Sequence, residues 1–450
     1  MNVAPNRQAG AQRAPWLRRT ARAISALLVA ACVWVFWGAD AWHERTWSAS
    51  SGASAAPSVG HGASLARIGN CALCHTAPGE AAFAGGRAIE TPFGAVVSTN
   101  ITPDPAHGIG QWSADDFWRA LHHGKSRDGR RLLPAFPYTS YTRVSRADAD
   151  ALFAYLRTVA ASPRPNSASP LAWPFNTQAA LAVWRALYFW PQPASADIHR
   201  ASPILGASGV TSTDTARLER GEYLIHGLGH CTECHGTRGL LGGLVRGKEL
   251  AGAVLPGVAW YAPSLQSAEQ AASTSVADTV ALLQTGVSDG RFAGGPMAQV
   301  VLHGTQYLTE ADAQAMALYL QTVAQPAAPE GPHLSNAKAD PRAAKLYEDH
   351  CADCHGKEGQ GQAGAYPALA ENRAVRMAQP NNAVLSVLHG GFAPATAGNP
   401  RPFGMPAFLL QLGDADVAAV LTYVRSAWGN QAAPVSALDV QQIRRTQAAP

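Results

Sequence analysis

Six of the seven cysteines fall in three copies of one pattern: Cys71-Ala-Leu-Cys74-His75, Cys231-Thr-Glu-Cys234-His235 and Cys351-Ala-Asp-Cys354-His355. Two thiols one helical turn apart can add to the two vinyl groups on one edge of a porphyrin. The adjacent imidazole is then held beneath the ring, where a nitrogen ligates iron. C-x-x-C-H is the haem c attachment pattern, so three covalently bound haem c groups are expected, with His75, His235 and His355 on the metal. Zinc would need a second ligand pair for each motif, and no spare Cys-x-x-Cys or His pair supplies one. Disulfides would not require His after every second cysteine. The seventh cysteine, Cys32, lies in an apolar amino-terminal stretch.

Iron in such a site usually takes a second axial ligand, and a methionine opposite histidine raises the reduction potential. The chain has five methionines, so few can serve. Met405 sits in Phe403-Gly-Met-Pro-Ala-Phe408 and Met297 in Gly294-Gly-Pro-Met297. Both lie in Gly/Pro-rich stretches downstream of a motif, and both are expected to ligate iron. Met316 and Met377 read as core filler. The first repeat has no methionine at all: the corresponding stretch is Leu133-Pro-Ala-Phe136-Pro-Tyr138, and Phe cannot bind iron. Its iron is either five-coordinate or takes His122, His123 or His107.

These residues need scaffolds, and the sequence repeats one. The motifs recur at spacings of 160 and 120 residues. Each is followed by a segment with an acidic start and helical apolar spacing: Ala147–Val159, Glu310–Val323 and Asp414–Trp428. Tyr155, Tyr319 and Tyr423 hold the same place in all three and are expected in the core. Helix-like stretches precede two motifs, at Leu218–Leu228 and Ala343–His350; the first motif has only a short equivalent. A helix before the motif crossing a helix at the end of the unit is the arrangement of the class I cytochrome c fold. The expected fold is therefore all-α, with three tandem class I cytochrome c domains at 61–160, 213–325 and 337–430 behind an amino-terminal membrane anchor. Residues 161–212 read as a linker with a short apolar helix, Gln178–Trp190, and 431–450 as a tail. Ser48–Gly62, Ser162–Pro170, Pro191–Thr213 and Gln325–Asn336 are rich in Ser, Pro or Gly and read as spacers.

Charge places the chain. Charged residues make up 15%, against roughly 25% in ordinary soluble domains. Arg7, Arg13, Arg18, Arg19 and Arg22 account for the net charge of +4, and no other Lys/Arg cluster stands out; a nucleic-acid partner is excluded. The arginines lead into Ala23–Ala39, 17 residues without a charge, near the lower limit for spanning a bilayer. Trp34, Trp37, Trp42 and Trp47 are placed for its outer interface. Residues 1–47 thus read as a membrane anchor, or as a signal cleaved near Ala53–Ala56 or lipidated at Cys32. Each of these exports the domains to the periplasmic face of the cytoplasmic (inner) membrane. Gln178–Trp190 is too short to span; it covers the first two domains, lies on the membrane surface, or packs on a partner subunit.

Beyond the motifs, Thr91-Pro-Phe-Gly, Ser98-Thr-Asn-Ile-Thr-Pro-Asp104, Leu133-Pro-Ala-Phe-Pro-Tyr138, Trp173-Pro-Phe-Asn176, Arg220-Gly-Glu-Tyr-Leu224 and Ser426-Ala-Trp-Gly-Asn430 resemble the tri-haem cytochrome c subunits of membrane-bound periplasmic dehydrogenases. The resemblance runs from about residue 60 to 438. It implies a subunit that takes electrons from a separate catalytic dehydrogenase and passes them to ubiquinone or a terminal oxidase. The catalytic partners of such subunits carry quinone, flavin or molybdenum cofactors and act on CH-OH donors, aldehydes or N-heterocycles. The resemblance implies Met in alcohol-dehydrogenase-type relatives where this chain has Phe136, and that departure points away from an alcohol partner and toward a molybdenum hydroxylase or another dehydrogenase type. The sequence holds no nucleotide-binding glycine fingerprint and no nucleophile motif. The leading expectation is electron transfer without catalysis of its own. The alternative is a haem enzyme whose first iron is open to a small molecule such as thiosulfate or peroxide.

Overall fold

Each motif is bracketed by a leading helix and a closing helix, and the reason the two can cross is a small residue. In the first unit the leading helix Val59–Ile68 packs on the closing helix Arg146–Leu156. A Cβ on Gly62 would stand 1.9 Å from the carbonyl oxygen of Ala151 and 2.9 Å from the Cβ of Tyr155. In the second unit, Ser212–Glu222 crosses Glu310–Thr322, and Gly221 makes the same approach to Ala315 and Tyr319. The third pairs Pro341–His350 with Asp414–Ser426 around buried Ala343 and Tyr347. Closing helices start where the sequence pattern places them. Ser145 and Thr309 cap the first two by accepting the backbone N–H of Asp148 and Asp312, and the Asp416 carboxylate caps the third.

The computed structural model describes residues 15–38, 57–191, 212–288, 290–324 and 341–448. Expectations resting on Arg7, Arg13, Trp42, Trp47, Ala53–Ala56 and most of the spacers 191–213 and 325–336 lie outside the described residues. So do the side chains of Arg18 and Trp37.

Three expectations change. The first unit has a full ten-residue leading helix, Val59–Ile68, where the Ser/Gly/Ala composition reads as spacer and a short equivalent. Its Leu65, Ala66 and Ile68 are buried, which outweighs weak local propensity. Ser162–Pro170 is not a loose spacer but a strap bonded across the first unit: Asn100, itself buried, donates to the carbonyls of Ser162 and Arg164. Residues 431–450 carry a helix, Ala437–Ala448, against the third unit, with Val440 and Ile443 buried.

In the second unit, one residue more separates the crossing glycine from the motif than in the first. The extra residue is taken up in a π-helical turn, Tyr223–Leu228. Strand structure among the described residues is limited to two-stranded hairpins, one of which pairs Gly391–Phe392 with Gly404–Met405. One apolar core runs through the first two units, from Leu65 and Leu152 to Leu224, Ile225 and Met316. The third unit has its own core, which also takes in Ala259 and Trp260 of the second.

The amino-terminal helix Pro15–Val33 continues as a π-helical turn, Trp34–Gly38. Among the described residues no helix is long and apolar enough to cross a membrane. The arginines occupy the first half of this helix and shorten its apolar run. Ile24, Leu27, Val29, Val33 and Trp34 are nevertheless exposed. The helix Gln178–Tyr188 forms as expected, with Leu181, Ala182 and Arg185 buried.

Candidate haem sites

All three motifs fold as a helical turn and fix their histidine in the same way. The His75 Nδ1–H donates to the carbonyl of Thr99 at 2.6 Å, that of His235 to Pro263 at 2.7 Å, and that of His355 to Pro367 at 2.9 Å. A carbonyl can only accept, so the proton sits on Nδ1 and the Nε2 lone pair is left for a metal. The backbone behind each histidine is clamped as well. Its carbonyl accepts an N–H at 2.7 Å from Gly85, Gly252 or Gly361. All three glycines have φ between 66° and 87°, a region costly for other residues. These carbonyls and glycines escape a reading of the sequence. A backbone oxygen has no residue signature, and the glycines stand at three different distances from their motifs.

The Asn100 strap explains how the first site holds its carbonyl. Asn100 follows Thr99 directly, its N–H donates to Asn166 Oδ1 at 2.7 Å, and its own Oδ1 accepts from Thr102. The His75 support is thus tied to residues 162–166.

Burial sets the electrostatics. It pushes the Cys71 and Cys231 thiols up to about 12 and Cys351 up to about 11, while His75, His235 and His355 are pushed down by the same desolvation. Neutral thiols and neutral imidazoles make walls suited to a flat apolar ring. All seven cysteines are free, and among the described residues no three His, Cys, Asp or Glu side chains converge on a metal position.

The first site opens into a cavity of about 2420 Å³ lined by Cys71, Cys74, His75, Phe136 and Tyr141 on one side and Glu233 and Cys234 on the other. Ordinary ligand pockets are about 300–1,000 Å³, so the space accommodates a porphyrin. Phe136 lies 5.4 Å from the Tyr141 ring. His122 is turned elsewhere: its Nε2 donates to the carbonyl of Val144 at 2.6 Å, its ring stacks on Trp118, and burial pushes it down to about 3. Neither His122 nor His123 lines the cavity; His107 does, with Asp104 3.5 Å away. Met297 stands in the first turn of Gly295–His303, just after Pro296. Met405 ends its hairpin strand against the core of the third unit.

A family model for cytochrome c matches residues 341–428, which contain the third motif and Met405. The chain is 36% identical to the cytochrome c subunit of alcohol dehydrogenase (quinone) from Gluconobacter oxydans, covering 86% of this chain and 82% of the relative. It is 35% identical to the gluconate 2-dehydrogenase cytochrome c subunit of Pantoea cypripedii, covering 86% and 89%. The chain belongs to the dehydrogenase cytochrome c subunits. As a member of that family it is an electron-transfer subunit of a dehydrogenase complex, and its cytochrome c domain carries covalently bound haem. This cytochrome c subunit is also 37% identical to a nicotinate dehydrogenase subunit of Pseudomonas putida, covering 83% of this chain but only 30% of that relative.

The seams between units are specific. At the first, Glu233 accepts from Ser140 at 2.8 Å and Thr139 at 3.0 Å and pairs with Arg238 at 2.7 Å. His230 reaches the carbonyl of Gly69 at 3.2 Å. Burial, Glu233 and then Cys74 across the seam raise Cys234. At the second seam the Asn382 amide bonds both the N–H and the carbonyl of Tyr261 at 2.8 Å, and Asn381 bonds the carbonyl of Ala259 at 2.8 Å. That segment ends at Pro263, the support of His235.

Proposed function

We propose that the chain holds three haem c groups in tandem class I cytochrome c domains spanning 61–160, 213–325 and 337–430. The cysteine pairs 71/74, 231/234 and 351/354 would attach them, and the iron would be held by His75 in the first domain, by His235 with Met297 in the second and by His355 with Met405 in the third. Bound haem supplies one-electron chemistry at its iron. The protein residues fix the imidazoles, exclude water and hold the domains in line. Electrons enter from a catalytic dehydrogenase subunit and leave to ubiquinone or a terminal oxidase. The apolar run Ala23–Ala39 anchors the chain in the cytoplasmic membrane, with the domains in the periplasm.

The observation that carries this reading is the threefold repeat of one histidine support: Nδ1 on a carbonyl, and the histidine's own carbonyl on a left-handed glycine. Phe136, together with a similar protein named for nicotinate, favours a molybdenum-hydroxylase partner acting on an aldehyde or N-heterocycle. The test is to purify the complex from detergent-solubilised membranes and assay haem, molybdenum, flavin and quinone cofactor per chain. Three haems and near-stoichiometric molybdenum are expected. Fewer than three haems removes the tri-haem assignment, and flavin or pyrroloquinoline quinone without molybdenum returns the partner to the alcohol or sugar-acid dehydrogenases.

One observation favours a second reading of the first site. Phe136 lines its cavity, and of the three candidate histidines only His107 does, with its ring nitrogen 3.5 Å from the Asp104 carboxylate and so committed away from the iron in this reading. An iron open there would bind small ligands. A high-spin ferric signal that shifts on adding cyanide supports this; wholly low-spin iron rejects it.

A further inference from the structure

The methionines of the second and third units sit beyond loops that bear on each other. In the second unit the helix Val276–Thr285 ends at Gly286, whose φ of 79° turns the chain sharply. Gly286 opens a hairpin that pairs Val287–Ser288 with Arg291–Phe292. The Ala293 N–H returns to the Gly286 carbonyl at 2.7 Å, and Met297 follows four residues later. In the third unit the paired strands Gly391–Phe392 and Gly404–Met405 enclose a loop. Its turn is closed on itself. Thr396 and Asn399 exchange backbone N–H and carbonyl bonds at 3.2 and 3.1 Å, and the Asn399 side-chain amide donates to the Pro394 carbonyl at 3.3 Å.

That turn rests on Thr285 and Gly286. The last carbonyls of a helix have no partner within it, and that of Thr285 is met by the Thr396 hydroxyl, which donates to it at 3.0 Å. Thr396 is 4% exposed, so parting the two would leave polar groups buried without partners, which costs more than the bond itself. The backbones on both sides fit closely: a Cβ on Gly286 would overlap Pro394, and one on Gly398 would overlap Thr285. Further along, the hairpin is held by its own unit, where Ser288 donates to Asp278 Oδ1 at 2.7 Å and Arg291 to the Thr274 hydroxyl at 2.8 Å. The third unit thus supplies the cap at the hairpin's base, where the chain turns toward Met297. We infer that Thr396 is a positioning residue for both methionine ligands: it ties the loop that ends at Met405 to the hairpin that leads to Met297, so that loosening either loop weakens the sulfur–iron bond in both units. The inference rests on the proposed ligation of iron by Met297 and Met405.

The test titrates the full haem-loaded chain, oxidised and without denaturant, with imidazole. The readout is the near-infrared sulfur-to-iron charge-transfer band, its two shares identified by Met297→Ala and Met405→Ala. Thr396→Val removes the hydroxyl and keeps the shape. Both shares are expected to yield at about fivefold lower imidazole than in wild type, as for one lost hydrogen bond, and Thr396→Ser should restore both. Met405→Ala, which leaves Thr396 in place, gives an independent reading: the remaining Met297 share should also yield at lower imidazole. Wild-type titrations of both shares in Thr396→Val, a shift confined to one share, or an unchanged Met297 share in Met405→Ala each overturn the inference and leave the ligand assignment standing. A band undiminished by either methionine variant overturns the ligand assignment and the inference with it.

Discussion

Arg444 lies on the carboxy-terminal helix and bonds the segment just after Met405. Its guanidinium donates to the carbonyl of Leu409 at 3.1 Å, the carbonyl of Leu412 at 3.3 Å and the Asp414 carboxylate at 2.8 Å. Val440 and Ile443 pack with Met405, Phe408 and Leu412 in one core. Arg444→Ala removes both carbonyl bonds, each about 1 kcal/mol, and a partly exposed ion pair that adds no more than about 0.5 kcal/mol. A loss near 2 kcal/mol shifts the opening equilibrium of this loop by roughly thirtyfold. The assay is the near-infrared sulfur-to-iron charge-transfer band of the oxidised protein, followed through a guanidinium titration, with Met405→Ala identifying its share. In Arg444→Ala that share is expected to vanish at lower denaturant than in wild type, and imidazole should displace the ligand faster. Arg444→Lys should recover part of the effect. If Arg444→Ala lowers global stability while the Met405 share and imidazole exchange stay at wild-type values, the helix does not hold the loop and the reasoning fails.

Two further outcomes follow from the first unit and its neighbour. Phe136→Met supplies a thioether where the first site has a ring; one reduction potential should rise in a spectroelectrochemical titration, and wholly unchanged potentials would show that residue 136 does not face the iron. His122 and His226 are held neutral by burial, each pushed down to about 3, so below the ordinary value of 6.5 the unfolded chain takes up protons that the folded chain refuses. Stability is then full above pH 6.5 and falls as pH drops from there toward 3, by about 1.4 kcal/mol per histidine at pH 5.5. Denaturant midpoints at pH 8 and 5.5 measure it, and a His226→Gln variant with the wild-type pH dependence would refute it.

What was legible in the sequence followed what has a side-chain signature. The motifs and the closing helices carry one: fixed spacing in the first case, an acidic first turn followed by apolar positions in the second. Val59–Ile68 carries none, because its Gly and Ser suit a spacer as well as a helix. Gly62 in fact stands where a close helix crossing excludes any side chain. The strap at 162–169 has the Pro/Ser composition of a linker, and only its tertiary partner, Asn100, distinguishes the two. His122 shows the opposite error. A histidine near a motif reads as a possible ligand, but its partners are a carbonyl and a tryptophan ring within the core. The carbonyls of Thr99, Pro263 and Pro367 are invisible as acceptors, although two of the three are prolines, whose missing N–H keeps them out of regular ladders.

The three units repeat one local chemistry and differ in what they offer to each other. The second unit is built to be the middle one. Glu233, inside its own motif, is the acceptor that binds Thr139 and Ser140 of the first unit. Its segment 259–261 is bonded by Asn381 and Asn382 of the third, and two residues later the same segment supplies the carbonyl that holds His235. Movement at either seam would therefore be felt at the second motif, whereas the first and third histidines are supported from within their own units. Loose tandem domains need no such arrangement. Polar side chains committed across both seams, beside the groups that set imidazole orientation, fit a protein whose units must hold fixed separations while electrons pass between them.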